Sequence, residues 1–398
     1  MWAHRHVVLG VSGGIASYKS CTLVRRLTEA GATVDVIMTE GAAEFVRPLT
    51  FEALSGRPVL TSLWQAGSAL QHIRLAQRPD VIIVAPATAH LLARVAQGLG
   101  DDLLSTLLLA RTVPTLVAPA MNDEMFANPA TQKNLEILRK RGFAFVGPET
   151  GALAEAPSDR PGRMSEPEVI LAHAARLLSL GGALSGRRVV VTAGPTREPL
   201  DPVRVITNRS SGRMGYRLAE VAWERGAEVT LISGPTSLAP PPGVALQRVE
   251  TTAEMESAVR KSLKSADVLI MAAAPADYRP DAGAKTKRPR SAGPLKLSLN
   301  ATADILEATR AARRKGSVIV GFALETGDAE TKGRQKLAGK KLDMIVVNDA
   351  LEPGAGFEVE TNHVVILERD GGRHEVPLAD KRLVAGAILD RVEARLGQ

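Results

Sequence analysis

Two stretches of this chain share one pattern, in which a β-branched run closes on a glycine-containing turn and an amphipathic helix follows. In VVVTAGPTREPLDPVRVITNRSSGRMG the run from Val189 ends at Gly194-Pro195, and the later helix carries Leu218, Val221 and Ala222 on its apolar side. Near the N-terminus a strand over 6–9 turns through Gly10, Ser12, Gly13 and Gly14 into a helix that ends near Gly31 before a second strand. The segments LTEAGATVDVIMT (27–39) and AWERGAEVTLISG (222–234) repeat the passage from helix end through Gly-Ala to strand. Strand–helix–strand units pair their strands in parallel, and a parallel sheet needs cover on both faces. Further strands are expected at 80–85, 115–118 and 143–146, between helices such as 91–97 and 103–110. In the second half they are expected at 245–249, 267–271, 317–323, 344–347 and 363–367. The expected class is α/β, with two Rossmann-like domains, each a mostly parallel sheet with helices on both faces. A helix over 166–179 and a small-residue linker at about 181–186 divide domain 1–180 from domain 187–398.

The loops after these strands are where open α/β sheets place ligands. Asn208, Ser210, Ser211, Gly212 and Arg213 stand directly before a helix, where small residues let backbone amides and hydroxyls face an anion, so they read as a phosphate site. The first glycine turn does not have G-x-G-x-x-G spacing, which argues against a dinucleotide and suits one phosphate, as in a mononucleotide such as FMN. The net charge of +7 comes from scattered basic residues except at 285–290, which favours small phosphorylated partners over nucleic acid. Aromatics at 3% give little support to a stacking surface for single-stranded nucleic acid. The single Cys21 excludes an internal disulfide and a cysteine metal cluster. No apolar run approaches membrane-spanning length and the chain passes straight into a strand, so a cytoplasmic protein without membrane contact is expected.

TAGPTREPLDPVR followed by NRSSGRMG closely resembles the ligase half of the bacterial bifunctional phosphopantothenoylcysteine decarboxylase/phosphopantothenate–cysteine ligase family, and the resemblance runs across nearly the whole chain. In the first half SGGIA, Ala85-Pro86-Ala87-Thr88, His72 in LQHIRL and Pro119-Ala120-Met121-Asn122 together resemble the flavin-dependent cysteine decarboxylases. The resemblance implies FMN held by Ser12, Gly13, Gly14, Ala85 and Thr88, His72 as base, and Asn122 on the substrate carboxylate. Losing CO2 from an acylated cysteine leaves a carbanion without an electron sink, whereas prior oxidation of the thiol to a thioaldehyde spreads that charge onto sulfur; a flavin supplies this oxidation and later returns the electrons. In the family a cysteine near a GxGRM motif returns the proton. This chain departs there: in GPETGALAEAPSDRPGRM the corresponding residue is Glu155, whose ordinary pKa near ~4.3 leaves it ionised at neutral pH unless burial lifts it.

For the second half the resemblance implies amide formation between 4′-phosphopantothenate and cysteine through an acyl-cytidylate, with CTP consumed and pyrophosphate released. CTP contacts are implied at Ala273 and Asp277 of AAAPADYRP, Lys285 of KTKR, Phe322 of VGFALET, and Lys336 and Lys340. The last two share a helix face and suit successive phosphates. Asp277 is the expected Mg2+ ligand, Lys285 stabilises charge in forming the acyl-cytidylate, and Asn208 donates to the acyl oxygen. Ser210, Ser211, Gly212 and Arg213 would hold the substrate phosphate. The family also implies homo-oligomers, trimers of the flavin domain and dimers of the ligase domain. Two other readings stand beside this one. A ligase whose flavin half survives as an FMN-binding scaffold or oligomerisation module is motivated by Glu155 alone. An NAD(P)-dependent reductase lacks both its glycine fingerprint and a Tyr-x-x-x-Lys pair.

Overall fold

The computed structural model describes residues 1–64, 70–154, 157–281, 286–287, 296–349, 354, 356 and 359–397. It divides into two compact units, Met1–Ser179 and Leu180–Gln398. Both are α/β, with helices flanking a main sheet that is wholly parallel in the first unit and mainly parallel in the second.

In the first unit the order is β1 (His6–Val11), α1 (Ser17–Glu29), β2 (Thr33–Met38), α2 (Glu40–Ala43), α3 (Pro48–Ser55), α4 (Gln71–Gln77), β3 (Val81–Ala87) and α5 (Ala89–Gln97). There follow α6 (Leu103–Ala110), β4 (Thr115–Pro119), α7 (Asp123–Ala127), α8 (Pro129–Lys140), β5 (Ala144–Phe145), a hairpin β6 (Glu149–Ala152) and β7 (Pro157–Arg163), and α9 (Pro167–Leu178). The sheet runs β2-β1-β3-β4-β5 with every pairing parallel. Side chains of a strand alternate between faces, and here they feed two separate cores. Val7, Leu9 and Val11 join Leu23, Leu27, Phe51 and Ile170 on one side. Val8, Ile82, Val84 and Val117 join Leu91, Leu104, Leu107 and Leu135 on the other. Each fully buried Val, Leu or Ile contributes on the order of 1.5–3 kcal/mol, which is why these short strands need no polar alternation.

The second unit begins with β8 (Arg188–Ala193), a two-stranded ribbon of β9 (Arg197–Pro199) and β10 (Val205–Thr207), α10 (Arg213–Glu224), β11 (Glu228–Ser233), β12 (Ala245–Arg248), α11 (Thr252–Leu263) and β13 (Val268–Met271). A second ribbon of β14 (Tyr278–Pro280) and β15 (Leu299–Ala301) precedes α12 (Ile305–Ala308), β16 (Val318–Glu325), α13 (Ala329–Gly339), β17 (Met344–Asp349), β18 (Thr361–Glu368), β19 (Arg373–Asp380) and α14 (Lys381–Leu396). The main sheet is ordered β12-β11-β8-β13-β16-β17-β18-β19. It is parallel as far as β17, and β18 and β19 extend it antiparallel. Val190, Ile232, Leu269, Ile319 and Ile345 pack beneath α11, α12 and α13 through Val259, Ile305 and Leu337. On the opposite face α10 and α14 lie against one another. Trp223 of α10 is buried against Gly243, whose φ of 69° and lack of a Cβ leave room for the indole. Among the described residues no helix is long and apolar enough to cross a membrane.

Several ion pairs join α10 to α14, and the most buried carboxylate among them is Glu224. The Glu224 side chain is 3% exposed and is met by Arg382, which also reaches Glu220 at 3.1 Å. Burial pushes the Glu224 carboxyl above its ordinary range even with that guanidinium beside it. Removing the cation leaves an uncompensated buried charge, a change that typically costs about 3–5 kcal/mol. Arg382→Met is therefore expected to destabilise the second unit by about 3 kcal/mol at pH 7 in denaturant melts, the low end of that range because the arginine is partly exposed. A carboxyl whose folded pKa is raised binds its proton more tightly in the folded state, so the deficit relative to wild type shrinks as pH falls through that pKa. A deficit unchanged from pH 7 to pH 4 would contradict this account.

Candidate functional site

The carboxyl ends of β1, β3 and β4 open into a cavity of about 920 Å3, within the size range of ligand and cofactor pockets. Ser12, Gly13, Gly14, Thr88 and Asn122 all line it. The wall is tied together by Ser12: its Oγ donates to the Pro86 carbonyl at 2.8 Å and accepts from the Thr88 amide at 2.9 Å. Gly13 has no alternative, since a Cβ there would lie 2.6 Å from the Gly41 backbone, and on Gly14 it would reach the Thr88 methyl at 3.4 Å. α1 starts at this turn with no side-chain acceptor at its N-cap Ala16; the Ser17 and Lys19 amides donate to the Gly14 and Ala16 carbonyls, and the positive end of the helix dipole favours an anion there. Ile15, Met121 and Met164 add apolar wall. A glycine cradle, a helix N-terminus and apolar sides fit one phosphate joined to a flat apolar group. The hairpin β6–β7 closes the rim, where Gly162 accepts from the Met121 amide at 3.0 Å and a Cβ would lie 2.6 Å from the Met121 carbonyl.

The other expected residues of this unit stand differently. Ala85 is fully buried below the turn, and its carbonyl accepts from Ser20 Oγ at 2.6 Å. The Asn122 Oδ1 caps α7 by accepting from the Glu124 and Met125 amides, so the residue serves the local fold as well as the cavity. His72 lies on α4 and is outside the cavity lining, whereas His90, at the start of α5, is in it. Glu155 lies outside the described residues. Lys19 reaches the same cavity from α1; it is 8% exposed, and its ammonium donates to the Met164 carbonyl at 3.1 Å and to Glu166 at 2.9 Å.

In the second unit Ser210, Ser211 and Arg213 line a polar cavity of about 700 Å3 together with Arg197, Thr236 and Ser237. Backbones converge around it. Gly194 and Gly212 have φ of 76° and 78°, and a Cβ on either would lie 2.8 Å from the Thr236 methyl. A Cβ on Gly215 would meet Ala193 at 2.5 Å, and one on Gly234 would overlap the Pro195 carbonyl. Arg213 pairs with Glu360 at 3.1 Å. Buried side chains anchor the ribbon β9–β10: Glu198 accepts from the Thr252 amide at 2.8 Å, and Thr196 accepts from the Ala276 amide at 2.8 Å. The guanidinium of Arg204 holds the Asp201 carboxyl down to about 2.

Asn208 is tied to the loop after β13. Its Nδ2 donates to the Ala274 carbonyl at 3.1 Å and the Pro275 carbonyl at 2.9 Å, which places it beside the segment of Ala273. Ala273 in that loop is half-buried, and its amide donates to Thr192 Oγ1 at 3.1 Å. A third cavity, of about 330 Å3 between α12, α13 and the end of β16, gathers Lys332, Lys336 and Lys340 with Glu325. Lys336 pairs there with Glu325, and Lys340 with Asp304 at 2.6 Å. Asp277 is exposed and Phe322 half-buried, and neither lines these cavities. Lys285 lies outside the described residues. No group of three or more His, Cys, Asp or Glu able to hold a metal occurs among the described residues. Thr236 and Arg197 went unread in the sequence. A signal for the first was present, since Gly194-Pro195-Thr196 after β8 is matched by Gly234-Pro235-Thr236 after β11.

Residues 1–179 match the family described as Flavoprotein, and residues 184–396 match the DNA/pantothenate metabolism flavoprotein C-terminal domain. The coenzyme A biosynthesis bifunctional protein CoaBC of Vibrio cholerae is 46% identical over 398 residues, covering 99% of each chain. That of Bacillus subtilis is 45% identical over 399 residues, covering 99% of this chain and 98% of its own. Among solved structures, the C-terminal domain of a CoaBC protein is 41% identical, with 55% of this chain and 99% of that chain covered and a TM-score of 0.47.

The cradle of the first cavity generates a test. Gly13→Ala forces the β1–α1 turn away from Gly41, so the purified protein is expected to lose bound chromophore by at least about tenfold in affinity, equivalent to ~1.4 kcal/mol. Thermal melting of the second unit should be unchanged. Full retention of visible absorbance in that variant would remove the turn from the cofactor site.

Proposed function

We propose that this chain, which belongs to the family of coenzyme A biosynthesis bifunctional proteins, joins 4′-phosphopantothenate to cysteine in its second half and decarboxylates the product to 4′-phosphopantetheine in its first. It is an enzyme of coenzyme A biosynthesis with a flavoprotein decarboxylase half and a ligase half. The observation that carries the proposal is that identity to bifunctional relatives extends over 99% of the chain, with each half matching its own family. This favours both activities over a ligase with an inert flavin module.

For the decarboxylase half we assign FMN to the glycine-cradled cavity, with Ser12, Gly13, Gly14 and the first turn of α1 holding the phosphate and Thr88 bracing the turn. Ala85 supports that loop from below. When bound, the flavin takes electrons from the substrate thiol and returns them after CO2 has left. Asn122 lines the cavity and holds the substrate carboxylate; a hydrogen bond to a charged group is worth roughly 1.5–3 kcal/mol, so Asn122→Ala should weaken substrate binding by that amount in titrations of the holoprotein. His72 is assigned as the base. Because it does not line the cavity of its own chain, we place it at the cavity of a neighbouring copy in a homo-oligomer, a trimer of this half. The exposed Ile15, Tyr18, Phe45 and Leu49 support burial of this unit's surface against another copy. Glu155 is assigned as the proton donor in place of the family cysteine.

For the ligase half we propose that CTP is consumed, with the acyl group passing through an acyl-cytidylate before the cysteine amine attacks. Ser210, Ser211, Gly212 and Arg213 hold the substrate phosphate, and the Arg213–Glu360 pair opens to admit it. Asn208, which holds the loop of Ala273 and Asp277, is assigned to hydrogen-bond the acyl oxygen. Lys285 neutralises charge at the reacting phosphorus, Phe322 flanks the nucleotide, and Lys336 and Lys340 exchange their carboxylate partners for phosphate oxygens. Asp277 would contribute one carboxylate ligand to a Mg2+ bound with the triphosphate, which would neutralise phosphate charge. Dimers of this half and a cytoplasmic location complete the reading.

One assay tests the whole: purified protein with 4′-phosphopantothenate, cysteine and CTP or ATP, followed by pyrophosphate, CO2 and product mass. CTP-dependent pyrophosphate release with formation of phosphopantetheine is expected; pyrophosphate without CO2 would leave only the ligase. Lys285→Gln should abolish pyrophosphate release with flavin still bound. Glu155→Gln should accumulate the enethiol product in that variant alone, whereas undiminished phosphopantetheine formation would exclude Glu155 as donor.

A further inference from the structure

The ligase-side cavity ends on a row of hydroxyls whose direction is set from the buried end. Ser233, the last residue of β11, is fully buried, and its Oγ donates to the Gly234 carbonyl at 2.8 Å. A carbonyl can only accept, and a buried one left unpaired is costly, so the single proton of Ser233 is committed there. The hydroxyl of Tyr216, on the first turn of α10, lies 3.1 Å from Ser233 Oγ. With the serine proton engaged, the phenol must be the donor of that pair. Thr236 Oγ1 lies 3.1 Å from the Tyr216 oxygen and donates to it in turn. Each hydroxyl carries one proton, so the row runs Thr236 to Tyr216 to Ser233 to Gly234, and Thr236 reaches the cavity with lone pairs only. Its methyl fills the notch left by Gly194 and Gly212, which fixes χ1 and so the position of Oγ1.

We propose that Thr236 is a specificity-determining hydrogen-bond acceptor, taking a donor hydrogen of the ligase substrate. The inference rests on reading this cavity as the 4′-phosphopantothenate site. Arg197 and Arg213 in the same cavity only donate, which suits phosphoryl oxygens. A fixed acceptor beside them is mismatched to those oxygens and matched to a hydrogen-bearing part of the molecule. The substrate offers three such hydrogens: on its secondary hydroxyl, on its amide nitrogen, and on the phosphoryl group when singly protonated. Tyr216, which touches no substrate, is a positioning residue that keeps the threonine proton turned inward.

The test compares kcat/KM for amide formation by the full-length protein and its Thr236→Val variant. The substrates are 4′-phosphopantothenate, its deoxy analogue without the secondary hydroxyl, and its ester analogue without the amide hydrogen; each is measured on both sides of the second phosphate pKa near ~6. The wild type should lose about tenfold on one of these changes, as expected for a single hydrogen bond, and Thr236→Val should lose about the same with the parent substrate and nothing more on that change. Which change shows the coupling identifies the hydrogen. Thr236→Ser should keep the discrimination, and Tyr216→Phe should relax it by freeing the threonine proton. A merely structural Tyr216 would lower stability and leave the ratio between analogues unmoved. Equal losses on every substrate and at every pH in Thr236→Val, or no loss at all, would overturn the proposal. Arg213→Gln separates the two levels: an unchanged KM for 4′-phosphopantothenate there would refute the reading of the cavity, whereas a raised KM with uncoupled Thr236 would refute the acceptor alone.

Discussion

The peptide groups of a parallel sheet bond only to neighbouring strands, so helices must seal both of its faces, and the room left for ligands is at the carboxyl edge. Both units of this chain are built that way, and the loops at that edge are held chiefly by backbone meeting backbone. Gly13 against Gly41, Gly162 against Met121, Gly215 against Ala193 and Gly234 against Pro195 are approaches that no side chain larger than hydrogen permits. Loops fixed by their main chains line the cavities with small polar side chains such as Ser12, Thr88, Ser210 and Thr236, each of which also holds a hydrogen bond within its own unit.

The two cavities nonetheless use different electrostatics. In the first unit a glycine turn and the N-terminal end of α1 line the cavity, while the buried cation Lys19 is already bound to Glu166 and a carbonyl. In the second, the cations are arginines, and Arg213 has a carboxylate partner in Glu360. A flat cofactor that stays bound suits fixed main-chain dipoles. A substrate that must arrive and leave suits guanidinium groups whose half-exposed ion pairs exchange at little cost.

Strands that are apolar on both faces are legible in the sequence, because periodicity and β-branched residues report burial directly; β1, β3 and β4 and the parallel strands of the second unit emerge within a few residues of their expected bounds. Motif loops were legible too, since Ser12, Gly13, Gly14, Thr88 and Asn122 gather in one cavity. What stayed hidden depends on register and direction. The short ribbons β9–β10 and β14–β15 and the edge strand β19 have mixed polar sequences that resemble loops. Nothing in the local sequence reveals that the Asn208 amide donates to carbonyls 66 and 67 residues away, or that His72 falls outside the cavity while His90 enters it. Those facts arise from contacts between segments far apart in the chain.

The indole seated against Gly243 has a use beyond packing. Of the three tryptophans, Trp223 in the second unit and Trp2 in the first are each 7% exposed, whereas Trp64 is 91% exposed. Each half thus carries one sheltered emitter, and the third senses bulk water whether the protein is folded or not. Changing Trp2 or Trp223 to phenylalanine leaves a chain whose environment-dependent fluorescence reports on a single unit. The order in which the halves lose structure, and whether a ligand bound to one steadies the other, then become readable from emission wavelength alone.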